Sequence, residues 1–231
     1  MNFEHLDKFV SNKMEVEDQW ISLSDIMAGL MMVFLLIAIV YMLKVQEIAN
    51  NIKLMENELY KDLEKEFKND FSAWNMDLDS LTIKFKEPRV LFEGGKDKLK
   101  FRFKRILNKF IPRYLKIVHS QKYSNIISEI RIEGHTSSDY FNLSSEEAYI
   151  ANMRLSQNRA NNTLIYIFTF IPEIDKDKEW LRKKIAAIGM SSSRLIKTLK
   201  GKEDFKQSRR VEFRILLKTD EAIAKISLLD Q

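Results

Sequence analysis

Apolar residues follow three successive rhythms along the chain. From Trp20 to Leu43 they are nearly continuous (WISLSDIMAGLMMVFLLIAIVYML), and between Ile21 and Leu43 the one charged side chain is Asp25. At about 1.5 Å per residue, a helix of this length crosses a hydrocarbon core of about 30 Å, so the pattern predicts a membrane span over 20–43. Beyond it Val45, Ile48, Ile52, Met55 and Leu59 recur at alternating spacings of three and four, and Leu63 and Phe67 continue the face. This rhythm predicts a helical linker over 44–74, read either as a helix packed on its own domain or as a short parallel dimer coil. From about residue 75 the texture changes again. Strands are predicted at Leu81–Phe85, Arg89–Gly95, Ile130–Glu133 and Arg209–Leu217. Helices are predicted at Phe101–Val118, interrupted or bent at Pro112, at Ser156–Phe170, and over about 176–184. The alternation predicts an α+β domain over 75–218, a mixed sheet with helices, followed by a tail over 219–231.

The segment before the span, 1–19, is acid-rich: Glu4, Asp7, Glu15, Glu17 and Asp18 stand against Lys8 and Lys13. A secretory leader begins basic and ends at a small-residue cleavage site. Neither feature is present, so the span reads as a retained anchor. Lysines are nearly balanced across it (Lys8 and Lys13 before; Lys44, Lys53 and Lys61 after), and the positive-inside count does not set its orientation. Asp25 has two readings. Ser22 and Asp25 have the spacing of a capping box at a helix start, where the positive end of the helix dipole favours a carboxylate. Alternatively Asp25 is an ion or proton site in a helix bundle, because a carboxylate in a membrane costs free energy unless it faces protein or water. Ser22 and Ser24 are then candidate ion-path residues.

Composition narrows the chemistry. In 231 residues the net charge is +5, with basic residues scattered among acids, so no direct nucleic-acid contact is expected. There is no cysteine, which excludes a disulfide scaffold and a thiolate metal site. His5, His119 and His135 are too dispersed for a zinc motif. No P-loop, G-x-G-x-x-G or G-x-S-x-G stretch occurs. A wall hydrolase needs paired acids or a metal, and Glu146 and Glu147 are sequence neighbours whose side chains point apart. A non-enzymatic protein without a cofactor is expected.

Three stretches then stand out: IRIEGHTSS (Ile130–Ser138), NMRLSQNRANNTLIYI (Asn152–Ile167) and QSRRVEFRI (Gln207–Ile215). In content and order they resemble the signature blocks of OmpA-like peptidoglycan-binding domains, over roughly Leu81–Leu217. The resemblance implies a β-α-β-α-β core and, as ligand, the diaminopimelate-bearing peptide of the cell wall. On the helix block Asn152, Leu155-Ser156 and Arg159-Ala160 match. An upstream run, Asn142-Leu143-Ser144 with Glu147-Ala148, lacks the arginine. The matching register implies an insertion after Thr136. Arg159 is then expected to grip a peptide carboxylate through its planar fork, Asn152 to bond peptide amides and Leu155 to pack beneath the ligand. The family's Asp after Gly-His-Thr is replaced by Ser137. Asp139 is the candidate substitute for meeting the ligand ammonium, with Thr136 at the turn of the site and His135 shaping that turn. Arg209 and Arg210 flank the last strand, and one of them is expected to be an ordinary surface charge.

One membrane helix with an early Asp, a linker and such a domain resembles the MotB class of stator subunits. Within it, SLSDIMAGLMMVFLLI resembles the MotB-like B subunits of Zorya anti-phage systems. The resemblance implies a homodimer inside a pentameric ring of MotA-like multi-span partners in a bacterial inner membrane. The N-terminus would be cytoplasmic and the domain periplasmic and bound to peptidoglycan. Asp25 would carry H+ or Na+. A flagellar-type stator and a passive wall tether without ion traffic remain open alternatives.

Overall fold

The computed structural model describes residues 3–86, 91–93, 95–140 and 143–218, with side chains from residue 23 onward. The first two apolar rhythms form one uninterrupted helix, α1 (Phe3–Phe67). The chain divides into two compact units, residues 1–51 and 52–231. In the first unit the large apolar side chains from Leu23 to Leu43 are exposed all round, as Ile26, Phe34 and Tyr41 illustrate at 66%, 62% and 71%. A helix apolar on every face suits lipid rather than a soluble core. Among the described residues it is the one helix long and apolar enough to cross a membrane. Because α1 begins at Phe3, Ser22 and Asp25 lie inside it, where backbone N–H groups already bond within the helix. The capping-box reading of Asp25 is therefore overturned.

The second unit is built on a five-stranded sheet in the order β1-β2-β5-β3-β4. Its strands are β1 (Met76–Asp79), β2 (Thr82–Phe85), β3 (Ile127–His135), β4 (Ile185–Gly189) and β5 (Arg210–Leu217). All neighbours are antiparallel except β3 and β4. That parallel pair requires a crossover, supplied by α3 (Ser145–Phe170), a 3-10 turn (Pro172–Asp177) and α4 (Lys178–Lys184). Helix α2 (Phe101–Val118) runs through Pro112 as a single element. A short helix, α5 (Phe205–Ser208), precedes β5.

Strand alternation divides the sheet into two faces of opposite chemistry. Register places Ile83, Phe213 and Ile132 in one row and Phe85, Val211 and Gly134 in the next. This face packs against α2, whose Phe110 ring lies 5.1 Å from Phe85 and 5.2 Å from Phe213. The linker stretch 44–74 is divided in use. Val45 and Ile48 are exposed, whereas Leu59, Leu63 and Phe67 are fully buried in the domain core. Phe67 sits 5.0 Å from Phe110, and Arg113 of α2 pairs with Glu66 and Asp70, both at 2.7 Å. The end of α1 is thus part of the folded unit.

Several elements depart from the sequence pattern. The antiparallel hairpin partner β1 and the short strand β4 were not predicted. Of the strand expected at Arg89–Gly95, residues 89, 90 and 94 lie outside the described residues; Phe92 forms an isolated bridge with Leu99. Helix α3 starts earlier than predicted, because Ser144 and Glu147 form a complete capping box. The Glu147 carboxyl is held below its ordinary range by the backbone N–H and hydroxyl of Ser144, so the Glu146–Glu147 pair is a helix start. The tail 219–231 lies outside the described residues.

Candidate ligand-binding site

The site is set by how deeply α3 sits on the sheet. A Cβ at Gly134 would lie 2.2 Å from the backbone oxygen of Ser156, and one at Gly189 would lie 2.6 Å from the backbone nitrogen of Gln157. Only glycine lets β3 and β4 touch the α3 backbone at these points. Ser156 Oγ accepts from Ser191 N at 3.0 Å, Ser191 Oγ donates to Tyr149 O at 2.8 Å, and Thr136 N donates to Ser191 O at 2.9 Å. These bonds place the loop after β3 beside one face of α3.

On that face Asn152, Leu155 and Arg159 follow one another at helical spacing. With Thr136, Asp139, Ser137, Tyr140, Gly95 and Arg209 they line a cavity of about 270 Å³. All five residues that the sequence reading offered for wall binding therefore lie in one place, each with different contacts. Asn152 is buried and donates from Nδ2 to Ser137 O at 3.1 Å, so it pins the β3 loop to α3. Leu155 is half-buried and forms part of the apolar lining. Arg159 is 5% exposed. Its Nε donates to Lys96 O at 3.0 Å, and its guanidinium lies 4.9 Å from the centre of the Phe92 ring. Burial, with Arg209 adding repulsion, pulls its pKa down to about 10. Thr136 Oγ1 and Arg209 Nε are buried without a hydrogen-bond partner among the described residues. Asp139 is exposed at the rim and is the one carboxylate in the lining among the described residues.

The cavity therefore brings together two guanidinium groups, an orphaned hydroxyl, an apolar floor and one acid. Buried polar groups cost free energy unless satisfied, and two neighbouring cations favour an incoming anion. The arrangement can grip a carboxylate and, through Asp139, an ammonium on the same molecule. Arg209, which also lines the cavity, is the residue that the sequence reading left undecided. The expectation that it or Arg210 is an ordinary surface charge fails for both. Arg210 is buried and bonds Glu212 at 2.6 Å.

Arg210 belongs to a second cluster, on the opposite sheet face. There β3 residues Arg131, Glu133 and His135 stand across from β5 residues Arg214, Glu212 and Arg210. His135, Glu133 and Glu212 are each 1% exposed. Their ligand-type atoms lie within 4.8 Å of one another, the spacing of a metal site. The carboxylates are already paired, however: Glu133 with Arg214 at 3.1 Å and Arg194 at 3.3 Å, and Glu212 with Arg210 and with Arg214 at 3.2 Å. A divalent cation would meet three guanidiniums, so the cluster fits a metal poorly. Burial pushes the Glu133 and Glu212 carboxyls up, but His135 and the arginines outweigh it and hold both below the ordinary range. Of the candidate ion-path residues, Asp25 and Ser24 are exposed on α1, and the side chain of Ser22 lies outside those described.

An all-round apolar helix followed by this α+β domain, with the three signature blocks converging on one cavity, defines a protein with one candidate membrane helix among the described residues and a folded ligand-binding-type domain after it. No protein-family model matches the chain. The Zorya protein ZorB of Escherichia coli is 40% identical over 235 residues, covering 96% of this chain and 99% of that protein. The chain belongs to the ZorB family. Among solved structures it is similar to a putative MotB-like protein from Desulfovibrio vulgaris, at 18% identity over 69% of this chain and 90% of that one (TM-score 0.49). It is also similar to the cell wall anchor of the T6SS from Pseudomonas aeruginosa, at 15% identity over 68% and 97% (TM-score 0.45).

Proposed function

We propose that this protein is the wall-anchored stator subunit of an ion-driven inner-membrane motor, acting with a MotA-like ring in anti-phage defence. The observation that carries the anchoring role is the cavity in which Arg159 and Arg209 converge, neither in an ion pair among the described residues, beside Asn152, Leu155, Thr136 and Asp139. A diaminopimelate-bearing wall peptide offers the carboxylate and ammonium that this lining requires. Membership of the ZorB family supports the defence setting.

The motor role rests on Asp25. It lies inside an unbroken apolar helix, where capping does not account for it. A carboxylate that alternates between charged and neutral forms changes its preference for the groups facing it. Each proton crossing 100 mV releases about 2.3 kcal/mol, several times the thermal energy. In this reading a dimer of the chain sits within the ring, the N-terminus is cytoplasmic, and the wall-bound domain holds the dimer still while the ring steps. H+ and Na+ both suit the scheme.

Two measurements test the two halves separately. Full-length protein in detergent is expected to co-sediment with purified sacculi, and Arg159→Ala to weaken that binding about tenfold or more. Unchanged binding by the variant would remove the site. Asp25→Asn is expected to leave membrane insertion and sacculus binding intact while abolishing phage protection. Full protection by Asp25→Asn would reduce the protein to a passive tether.

A further inference from the structure

The wall-binding cavity does not end at Leu155. Across Gly95, Tyr140 and Leu155, which line both, it continues into a second groove of about 530 Å³. The geometry points to this groove as a second anion subsite, taking a further carboxylate of the same acidic wall peptide. The inference rests on the wall-binding reading of the first cavity and adds to it the length and charge of the ligand.

The charged groups of the groove are Lys96, Lys98 and Arg154 against Asp97. Lys96 is occupied by Glu93 at 3.1 Å. Lys98 and Arg154 make no ion pair among the described residues, and both are exposed to an arriving ligand. The acid is held aside. Asp97 accepts from Asn158 Nδ2 at 3.0 Å through its carboxylate and from Asn162 Nδ2 at 3.1 Å through its backbone oxygen. Together with the Arg159 bond to Lys96 O, these contacts clamp the 96–97 segment to α3 at two backbone oxygens and one side chain. The groove wall is thus fixed before a ligand arrives, which lowers the ordering cost of binding. Arg154 and Asn158 are one helical turn apart on the face adjoining Leu155, so a ligand held at Arg159 extends over Leu155 toward Arg154. An extended peptide with one carboxylate on Arg159 and Arg209 and a second near Lys98 and Arg154 meets, at both ends, cations that make no ion pair among the described residues, with Glu93 and Asp97 as the acids nearby. A neutral extension would leave the second pair unused.

The test compares two soluble probes on full-length protein in detergent, by titration calorimetry. One is a diaminopimelate-bearing wall peptide with a free glutamyl carboxylate; the other is the same peptide with that carboxylate amidated. Unaltered protein is expected to prefer the acidic probe, and the preference to shrink as salt rises. Lys98→Ala and Arg154→Ala are expected to weaken the acidic probe about threefold each and about tenfold together, as exposed ion pairs do, with the amidated probe unaffected. Arg159→Ala should weaken both probes alike. Equal binding of the acidic probe by unaltered protein and by the Lys98→Ala/Arg154→Ala variant would overturn the subsite while leaving the first cavity standing. Failure of unaltered protein to bind either probe would overturn the wall-peptide reading and the subsite with it.

Discussion

The two arginines of the cavity have different histories. Arg159 is anchored through Nε and the Phe92 ring, so its fork is pre-aimed, while Arg209 keeps a buried Nε without a hydrogen-bond partner among the described residues. An unliganded guanidinium in that position costs free energy that a carboxylate would recover. Arg209→Ala is therefore expected to weaken sacculus binding by about tenfold or more, at roughly 1.5–3 kcal/mol for a charge-assisted contact. The same change removes repulsion on Arg159 and should leave thermal stability unchanged or slightly higher. A drop in stability equal to the drop in binding, seen in parallel melts and pull-downs, would make Arg209 structural. Asp139→Ala, at the exposed rim, should lower sacculus binding without touching the melt. Of these residues, Asn152, Leu155 and Arg159, which helical spacing keeps on one face, were legible through the resemblance of their helix block to OmpA-like domains. Arg209 was not, since only the pairing of β3 with β5 brings its neighbourhood to the loop after β3.

At the scale of elements, α1 does two jobs. Its exposed apolar stretch suits a membrane, and its last turns complete the domain core through Leu59, Leu63 and Phe67. A soluble fragment beginning at residue 75 lacks all three and is expected to melt well below one beginning at residue 52. Within the longer fragment, Leu63→Ala should cost about 2–5 kcal/mol, measured by chemical denaturation. The β3–β5 pair predicts a pH response. Glu133 and Glu212 have folded pKa values below the reference of 4.5. Groups shifted in this direction contribute stability that is fully present above the unfolded value and is lost as pH falls below it. The melting temperature of the longer fragment should hold from pH 7 to about 5 and fall below 4.5. A Glu133→Gln/Glu212→Gln variant should show a shallower acid decline; an identical profile would exclude the cluster as its source. Strand β4 and hairpin partner β1 escaped prediction for a physical reason. Both are short, and the turn beside β1 uses Asn75 and Ser80 at positive φ rather than the glycines that usually mark one. The capping box at Ser144 and Glu147 was visible as S-x-x-E and would have set the start of α3 correctly.

At the scale of the whole molecule, dimerisation is the property on which the motor reading turns. Of the coiled-coil seam, Leu59 is used inside the chain, which leaves Val45 and Ile48 as its exposed positions. Ile48→Cys is expected to cross-link between copies in membranes, against a background with no native cysteine. A cysteine at the exposed polar position Glu47 serves as the off-seam comparison, and equal cross-linking at both would remove the seam. The sequence alone determined the span, its single carboxylate and the α+β alternation, because each is written in the spacing of near neighbours along one helix or strand, and the resemblance of its helix block to OmpA-like domains picked out Asn152, Leu155 and Arg159. Tertiary structure decided the rest. It carried α1 unbroken through the capping reading of Asp25 and drew the end of that helix into the core. It turned Glu133, His135 and Glu212 into a buried ion network on the far sheet face and set Arg209 beside Arg159. These features depend on contacts between residues tens of positions apart, and only the register of β3 with β5 and the close approach of α3 at Gly134 and Gly189 fix which side chains meet.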